Sequence, residues 1–387
     1  MESRERVRLA LEHREPDRVP FDIGSTAVTG IHERPYRGMR RLLGLPESSA
    51  PVDPLYFFVV PEDDIKDLMG IDAASVATGL ASGFELAPER RDEFLWVRDE
   101  FGIGFAMLAD GGTEYDPLGF PLGGSITLAD VARHPWPDPV DPGRFVGFRE
   151  ACERIARDEG RAVVCELYGG GMMELATWMR GYEDFYTDLA AEPQLVGAIM
   201  DRILEFKLAH WSRIFELAGD LIDVVVEADD LGGEFGTLTS PATYRAHIQP
   251  RHRILFDHIH QKSRAKILMH SCGAIRPLFP DLIDAGIDIL NPVQVSAAGM
   301  DSRALKRDFG RDLVFWGGGV DTQHVLPWRT PQEVRDEVRR RLHDFMPGGG
   351  FVFAAVHEIQ ADVPPENLVA MWEAVREYGV YSTSGGK

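Results

Sequence analysis

Short apolar runs alternate with longer helical stretches along most of the chain. From about residue 160 onward, six runs predict buried strands: AVVCEL, DVVVEA, AKILMH, IDILNP, LVFWGG and FVFAAV. The stretches between them have the period of amphipathic helices, and two of these helices have clear N-terminal signals. Ser240 precedes a proline, and residues 330–333 (TPQE) form a capping box. This alternation predicts βα units around a parallel sheet.

The first part of the chain contains two further candidate strands, which together would close an eight-stranded barrel. An amphipathic helix over residues 3–13 precedes VPFDIG at residues 19–24, and IDAASVA occupies residues 71–77. Residues 85–145 break the rhythm with hairpin-like and proline-rich segments. We therefore predict an α/β fold, a (βα)8 TIM barrel with an insertion at about residues 85–145. Residues 1–380 would form this single domain and residues 381–387 a flexible tail.

Composition and net charge exclude some classes of binding partner for this chain. The chain has 387 residues, of which 44% are hydrophobic and 27% are charged, as in soluble globular proteins. Lys and Arg number 41 against 62 Asp and Glu, so the net charge of −21 repels nucleic acids and anionic membranes. Neither an apolar run of the ~18 residues that a membrane span needs nor a signal peptide is recognisable. We expect a cytoplasmic enzyme that binds neither nucleic acid nor membrane.

The residues that follow the predicted strands are unusually polar. In a parallel barrel such residues surround the active site at the carboxyl ends of the strands. Ordinary solvated loop ends are the alternative interpretation. The candidates are Glu166, Tyr168, Glu227, Asp229, Asp230, His270, Cys272, Asn291, Gln294, Asp321, Gln323, His357, Glu358 and Gln360.

The segment HSCG, which contains His270 and Cys272, is the strongest local signal for a metal site. Both donors can face one metal ion at the end of a strand, and the glycine lets the backbone turn. His357, after the last strand, is the natural third donor, and Glu227 could be a fourth. Three protein donors with one exchangeable position are typical of catalytic zinc. A buried cysteine beside a capping histidine is the alternative for this segment.

The acidic group Glu227, Asp229 and Asp230 supplies candidates for proton transfer, because crowded carboxylates favour protonation of one of them. The alternative is an acidic helix N-terminus that complements the helix dipole. Polar residues at the other strand ends are assigned to substrate binding. Side chains expected only to pack include Cys152, Cys165 and Trp178. The residues assigned to substrate binding are Tyr168, Asn291, Gln294, Gln323 and Gln360.

On these residues the chain resembles the uroporphyrinogen decarboxylase superfamily, and within it the branch of cobalamin-dependent, zinc-containing methyltransferases. The similarity runs through RERVRLALEHREPDRVPFD, VRDEFG, HSCG, LIDAGIDILNPVQ, FWGGGVDTQHVLPWRTPQEV and HEIQADVPPENLVAMWEAV. It implies a (βα)8 barrel with its site at the carboxyl-terminal face. Members that methylate coenzyme M have an HxC and a later cysteine that bind zinc. His270 and Cys272 match the first two positions, and His357 stands at the third.

The resemblance implies a zinc-dependent methyltransferase that moves a methyl group between a small O-, N- or S-methyl compound and a corrinoid on a separate protein. Since the third cysteine is replaced by His357, removal of a methyl group from a donor is expected rather than methylation of coenzyme M. One alternative is a decarboxylase of a porphyrinogen, although DIGSTAVTGIHERP stands where such enzymes have an arginine-rich segment resembling MRQAGR. Another is a non-catalytic barrel that binds a corrinoid or tetrapyrrole. The oligomeric state stays open, a homodimer included.

Overall fold

The computed structural model describes residues 1–166 and 168–381. Its strands, in chain order, are β1 (Ile31–His32), β2 (Phe58–Val59), β3 (Ala73–Val76), β4 (Glu89–Arg91), β5 (Phe94–Arg98), β6 (Gly104–Leu108), β7 (Asp116–Gly119), β8 (Ala162–Cys165), β9 (Val224–Ala228), β10 (Lys266–His270), β11 (Ile289–Asn291), β12 (Val314–Trp316) and β13 (Phe351–Val352).

The α-helices follow the strands as the βα pattern requires. They are α1 (Ser3–Leu11), α2 (Glu33–Leu42), α3 (Asp63–Met69), α4 (Leu128–Arg133), α5 (Phe148–Glu153), α6 (Met172–Arg180), α7 (Tyr182–Ala191), α8 (Pro193–Ala218), α9 (Pro241–Thr243), α10 (Gln249–Lys262), α11 (Phe279–Ala285), α12 (Ser302–Phe309), α13 (Pro331–Phe345) and α14 (Pro365–Tyr378). Both predicted caps form, since the Ser240 hydroxyl accepts from Thr243 N–H and the Thr330 side chain from Glu333 N–H.

Seven strands form one parallel sheet in the order β13-β12-β11-β10-β9-β8-β3. A short extended segment joins its two outer strands. Phe353 N–H donates to Pro20 O and Asp22 N–H to Phe353 O, each at 2.9 Å. On the other side, Asp72 N–H donates to Phe21 O at 2.9 Å. The sheet thereby closes into the predicted TIM barrel, with this segment as its first strand.

Helix α1 covers the end of the barrel where the strands begin. The Arg6 guanidinium contacts Asp72, just before β3, at 2.7 Å, and Arg4 contacts Asp223, just before β9, at 2.8 Å. Its apolar face packs on the inward-pointing residues of the barrel strands. The active-site end is therefore the opposite one, where the strands finish. The inward residues that share this inner core include Ala73, Val164, Val224, Val226, Leu268, Ile289, Val314, Trp316 and Val352.

The predicted insertion contains a four-stranded antiparallel sheet, β4-β5-β6-β7, placed between barrel strands β3 and β8. It is tied to the barrel through α6. Leu122 N–H donates to Met179 O at 2.8 Å, and the Arg180 guanidinium donates to Leu122 O at 2.8 Å. The insertion therefore forms part of the wall above the strand ends.

At the chain end, Tyr381 is buried and its hydroxyl donates to Met346 O at 3.1 Å. Of the predicted tail, residues 382–387 lie outside the described residues. Within the ranges that the structure describes, no helix combines the length and apolar character that a membrane crossing requires.

Candidate metal centre and cavity

Strand β10 brings His270 and Cys272 to the carboxyl end of the barrel. Leu268 points into the inner core, so His270, two residues later, points to the same side. Gly273 follows with φ +88°, and a Cβ there would lie 2.4 Å from the Gly232 backbone. Only glycine lets the two loops pass this closely. The turn leaves Cys272 N–H to donate to Asp230 Oδ1 at 2.9 Å.

The three predicted metal donors converge. His270 Nε2 lies 3.5 Å from Cys272 Sγ, and the rings of His270 and His357 are 4.9 Å apart. One ligand atom from each of His270, Cys272 and His357 lies within 4.8 Å of the others. His357 belongs to the loop after β13 and has φ +65°, a conformation that turns its side chain away from the run of the chain. The neighbouring Glu358 carboxylate contacts His357 Nδ1.

The protonation states of the donors suit a metal ion. Burial lowers the pKa of His270, and burial together with the nearby His270 lowers the pKa of His357 to about 3. Both imidazoles are therefore neutral at physiological pH, the form that binds metals. Burial and the Asp230 carboxylate raise the pKa of the Cys272 thiol well above its usual range. The thiol would need a metal ion to become the thiolate ligand.

Asn291 fixes the orientation of His270. Asn291 Oδ1 lies 2.5 Å from His270 Nδ1, and Asn291 Nδ2 donates to Trp316 O at 2.8 Å. This partner leaves the lone pair of His270 Nε2 directed at Cys272. Asn291 is fully buried and does not line the cavity described below, so the structure shows it as the partner of His270 and its contact with substrate stays a prediction.

Glu227 does not join the predicted metal donors and points to the opposite side of the strand. Val224 and Val226 of β9 point into the inner core, so Glu227, the next residue, points outward to the helices. Its carboxylate accepts from Lys207 Nζ at 2.8 Å and from Trp211 Nε1 at 2.5 Å. It is 2% exposed and serves as half of a buried ion pair with α8, neither a metal ligand nor a proton donor.

The two aspartates of the acidic group lie in different places. Asp229 is fully buried; its carboxylate accepts from Glu174 N–H at 2.8 Å and contacts His252 Nε2 at 2.6 Å. It holds the start of α6 and does not line the cavity described below, so its catalytic role stays a prediction that these contacts do not support. Asp230 lines that cavity and contacts the Cys272 backbone.

A cavity of about 960 Å³ lies at the carboxyl ends of the barrel strands. The ends of β8, β9 and β10, helices α6 and α7, residues 51–60 and residues 114–117 of the insertion form its walls. His270 and His357 reach this cavity, so the candidate metal centre is accessible from it. A substrate of modest size could enter and contact the triad.

The remaining residues predicted to bind substrate do not line this cavity. The Tyr168 hydroxyl donates to Glu100 at 2.5 Å and holds the insertion. Gln294 and Gln323 both donate to Glu234 Oε1, which fixes the loop after β9. Gln360 donates to Glu358 Oε1 at 2.7 Å. These four side chains hold neighbouring segments in place. None of them lies in the cavity wall, where a substrate would meet it.

Sequence reasoning missed most of the wall. Trp178, expected only to pack, lines the cavity together with Glu174, Tyr182 and Tyr186. Glu174 and Trp178 are four residues apart on α6, and Tyr182 and Tyr186 are four residues apart on α7, so each pair lies on one face of its own helix. That spacing was the available signal. Burial and the carboxylates of Asp230 and Asp229 raise the pKa of Glu174 to about 8.

Glu166 is the other buried acid of the cavity. It follows β8, is 8% exposed and accepts from Ala27 N–H through Oε1 at 2.8 Å. Burial, with a smaller contribution from Asp22, raises the pKa of Glu166 to about 8. This carboxyl group is therefore mostly protonated at neutral pH.

The fold and the site define a TIM-barrel protein with a candidate metal centre at its carboxyl-terminal face. Residues 114–378 match the sequence profile described as "Uroporphyrinogen decarboxylase (URO-D)". The chain belongs to this family.

Proteins similar to this chain in sequence and proteins similar to it in fold carry different names. The uroporphyrinogen decarboxylase of Alkalilimnicola ehrlichii is 25% identical over 291 residues, which cover 74% of each chain. That of Mannheimia succiniciproducens is 24% identical over 322 residues, covering 77% of this chain and 83% of the relative. Among solved structures, a methyltransferase from Methanosarcina mazei superposes with a TM-score of 0.66 at 18% identity, covering 98% of this chain and 99% of that one. At this identity the likeness concerns the fold.

Proposed function

We propose that the protein is a zinc-dependent methyltransferase that moves a methyl group between a small methyl compound and a corrinoid on a separate protein. The observation that supports this most directly is the convergence of His270, Cys272 and His357 at the wall of the cavity. A fold shared with a methyltransferase from Methanosarcina mazei is consistent with it.

The donor set fits zinc. Two neutral imidazoles and one thiol are ligands that zinc prefers, and donors around tetrahedral zinc lie roughly 3.3 to 3.8 Å apart. The 3.5 Å between His270 Nε2 and Cys272 Sγ falls in this range. When bound, zinc supplies a Lewis acid to the heteroatom that gains or loses the methyl group. Three protein donors leave a position for that heteroatom on the side of the cavity.

Glu166 is the residue best suited to proton transfer. An ether or thioether that loses its methyl group keeps the bonding electrons on oxygen or sulfur, which then takes up a proton. Glu166 lines the cavity and holds a proton at neutral pH, because burial raises its pKa to about 8. Its Oε2 accepts no hydrogen bond from the residues that the structure describes, so this oxygen can deliver the proton. Asp230, also in the wall, lies nearer the metal donors.

Decarboxylation of a porphyrinogen is the competing function, because curated relatives bear that name. Its substrate carries several carboxylates, which need cationic partners in a partly buried site. Of the described residues that line the cavity, none is lysine or arginine. The wall therefore favours methyl transfer over this alternative.

Metal analysis tests the proposal. We expect about one zinc ion per purified chain by elemental mass spectrometry, with loss of zinc in Cys272→Ser and in His357→Ala. Cys152→Ala, in the outer core, and His324→Ala, exposed at the same end of the barrel, should keep it. Methyl transfer to reduced cobalamin from methyl ethers, amines and thioethers, followed by absorbance, should disappear with the zinc. A metal-free wild-type chain would count against the proposal.

A further inference from the structure

The cavity has an aromatic wall that the metal centre does not use. Its aromatic side chains are Tyr56, Phe58, Phe105, Tyr115, Trp178, Tyr182 and Tyr186, and they face a space of about 960 Å³. A methyl compound of only a few atoms would leave most of these faces in contact with water. A flat ring can pack against several of them at once, stacked or edge to face. The wall therefore favours a ligand that carries an aromatic ring.

Trp178 is held firmly within this wall. Its indole N–H donates to the Tyr182 hydroxyl at 3.1 Å, and the Phe105 ring meets it edge to face at 5.9 Å between centroids. On a further side, a Cβ at Gly170 would lie 3.0 Å from the indole. The ring orientation is thus fixed before any ligand enters, which lowers the entropy cost of binding.

The charge of the wall and the metal centre together favour a neutral ligand. None of the described lining residues is lysine or arginine, so an anionic ligand would lack a cationic partner. A protonated or quaternary amine has no free electron pair for a Lewis acid, whereas the oxygen of a neutral ether has two. The acidic side chains of the wall are Asp53, Glu114, Asp116, Glu166, Glu174, Asp230 and Glu358.

Glu166 is matched to an oxygen that leaves as a phenolate. Burial raises the pKa of Glu166 to about 8, and a phenolic hydroxyl has a pKa of about 10. Proton transfer from Glu166 to a phenolate is therefore favoured by roughly 100-fold. A departing thiolate, whose thiol has a pKa of about 8.5, would gain much less from this acid. A phenolate is the product of removing the methyl group from an aryl ether.

We propose that the methyl compound is a neutral aryl methyl ether, whose ring packs against Trp178 and its aromatic neighbours and whose departing oxygen is protonated by Glu166. This inference rests on the proposed methyl-transfer function and names its substrate class. In the reaction the bond between the methyl carbon and the oxygen breaks. The reduced corrinoid cobalt supplies both electrons of the new bond to that carbon. The oxygen keeps the electrons of the broken bond and takes the proton, so the product is a phenol.

The test is calorimetric binding to the full-length protein of three ligands of similar size. They are 4-methoxybenzyl alcohol, its anionic counterpart 4-methoxybenzoate, and (4-methoxycyclohexyl)methanol, which has the same groups on a non-aromatic ring. We expect 4-methoxybenzyl alcohol to bind at least about tenfold more tightly than either of the others. Equal affinities for the aromatic and the non-aromatic alcohol, or tighter binding of 4-methoxybenzoate, would overturn the inference.

Variants of Trp178 show whether the preference comes from the aromatic wall. Trp178→Leu should remove the preference for the aromatic alcohol, and Trp178→Phe should keep most of it, because phenylalanine still presents an aromatic face. Trp328→Ala, at an exposed tryptophan outside the cavity wall, is the control and should bind all three ligands normally. An unchanged preference in folded Trp178→Leu would contradict the placement of the ring.

Methyl transfer to reduced cobalamin distinguishes a substrate from a ligand. The wild type should convert 4-methoxybenzyl alcohol to 4-hydroxybenzyl alcohol, with one methylcobalamin for each phenol formed. Glu166→Gln should bind the ether as the wild type does but form product at least about 100-fold more slowly. Equal rates with the aromatic and the non-aromatic ether would overturn the inference.

Binding and metal loading separate this inference from the proposed function. Cys272→Ser should lose zinc but keep its preference for the aromatic alcohol, since the thiol does not line the cavity. A wild-type chain with zinc and no such preference contradicts the aryl ether alone. A wild-type chain without zinc that prefers the aromatic alcohol contradicts the proposed metal-dependent transfer alone.

Discussion

His270 depends on one neighbour for its role as a metal ligand. Strand register pairs His270 with Asn291, so the two side chains stand side by side at the end of the barrel. The Asn291 amide receives Nδ1–H and is itself fixed by Trp316 O. Partners of this kind set the tautomer and angle of a ligating imidazole.

Replacement of Asn291 should therefore weaken the metal site. In Asn291→Ala we expect zinc affinity to fall about 10- to 100-fold, because His270 loses the group that orients it. Competition with a chromophoric chelator measures this change. The control is Asn367→Ala, another buried asparagine that bonds to two backbone carbonyls far from the triad. Both variants should lose stability, and equal zinc affinity in the two would refute the role given to Asn291.

Glu166 makes stability depend on pH. Its pKa rises from 4.5 to about 8 on burial, so between these values the folded protein binds more protons than the unfolded chain. The free energy of unfolding therefore falls as the pH increases through this range. Glu166→Gln cannot ionise and keeps the acceptor for Ala27 N–H. We expect this variant to match the wild type near pH 5 and to exceed its stability by ~2–4 kcal/mol near pH 9.

Urea unfolding at the two pH values measures the Glu166 effect. Glu358→Gln, in the same cavity wall but only partly buried, serves as the comparison. A stability difference between Glu166→Gln and the wild type that is the same at both pH values would rule out the buried, protonated acid.

Among single residues, the metal donors were predictable and their surroundings were not. HSCG follows an apolar run directly, so strand alternation alone turns His270 toward the barrel end. The role of Asn291 depends on the register between β10 and β11, which no local pattern specifies. Its polarity at a strand end predicted a substrate contact, and the contact with His270 could not be predicted from the sequence.

At the scale of elements, strand β9 shows that the role of a residue depends on which face of the strand it occupies. The strand continues to Ala228, so Glu227 is still inside it and faces the helix layer. There Lys207 and Trp211, four residues apart on α8, meet its carboxylate. Glu227, Asp229 and Asp230 directly follow the apolar run. Nothing in the sequence shows that the strand ends between the first and the second of them.

The Glu227 ion pair predicts a purely structural phenotype. Lys207→Met leaves a buried carboxylate unpaired and should lower the free energy of unfolding by ~3–5 kcal/mol, measured in urea. The double variant Lys207→Met/Glu227→Leu should recover most of this loss, since it removes both charges. Zinc content should stay at the wild-type level in the folded single variant. Loss of zinc in this variant would indicate that Glu227 contributes to the metal centre.

Helices α6 and α7 supply one wall of the cavity. Gly171 lets α6 begin beside β9, because a Cβ there would lie 2.0 Å from Ala228 O. The close approach places Glu174 and the aromatic face that follows it at the cavity. The helical spacing of these residues was visible in the sequence, but which face of the helix meets a cavity depends on packing against the barrel.

At the scale of the whole molecule, the two ends of the barrel differ in purpose. Helix α1 closes the amino end, where Arg4 and Arg6 bind two buried aspartates, and the cavity lies at the carboxyl end.

The alternation of apolar runs and helices predicted this barrel because each βα unit is local in sequence. The cavity wall combines residues 51–60, the insertion and two helices, segments far apart in the chain. Their meeting is a property of the tertiary fold and has no periodic signal.

X-ray absorption at the zinc edge is the sharpest test of the proposed metal centre, since it identifies the atoms around the metal. We expect one sulfur at about 2.3 Å and two imidazole nitrogens at about 2.0 Å in the wild-type protein. In Cys272→Ser the sulfur contribution should vanish, together with most of the bound zinc. A zinc ion surrounded only by oxygen and nitrogen in the wild type, or a spectrum that Cys272→Ser leaves unchanged, would contradict a metal centre built from His270, Cys272 and His357.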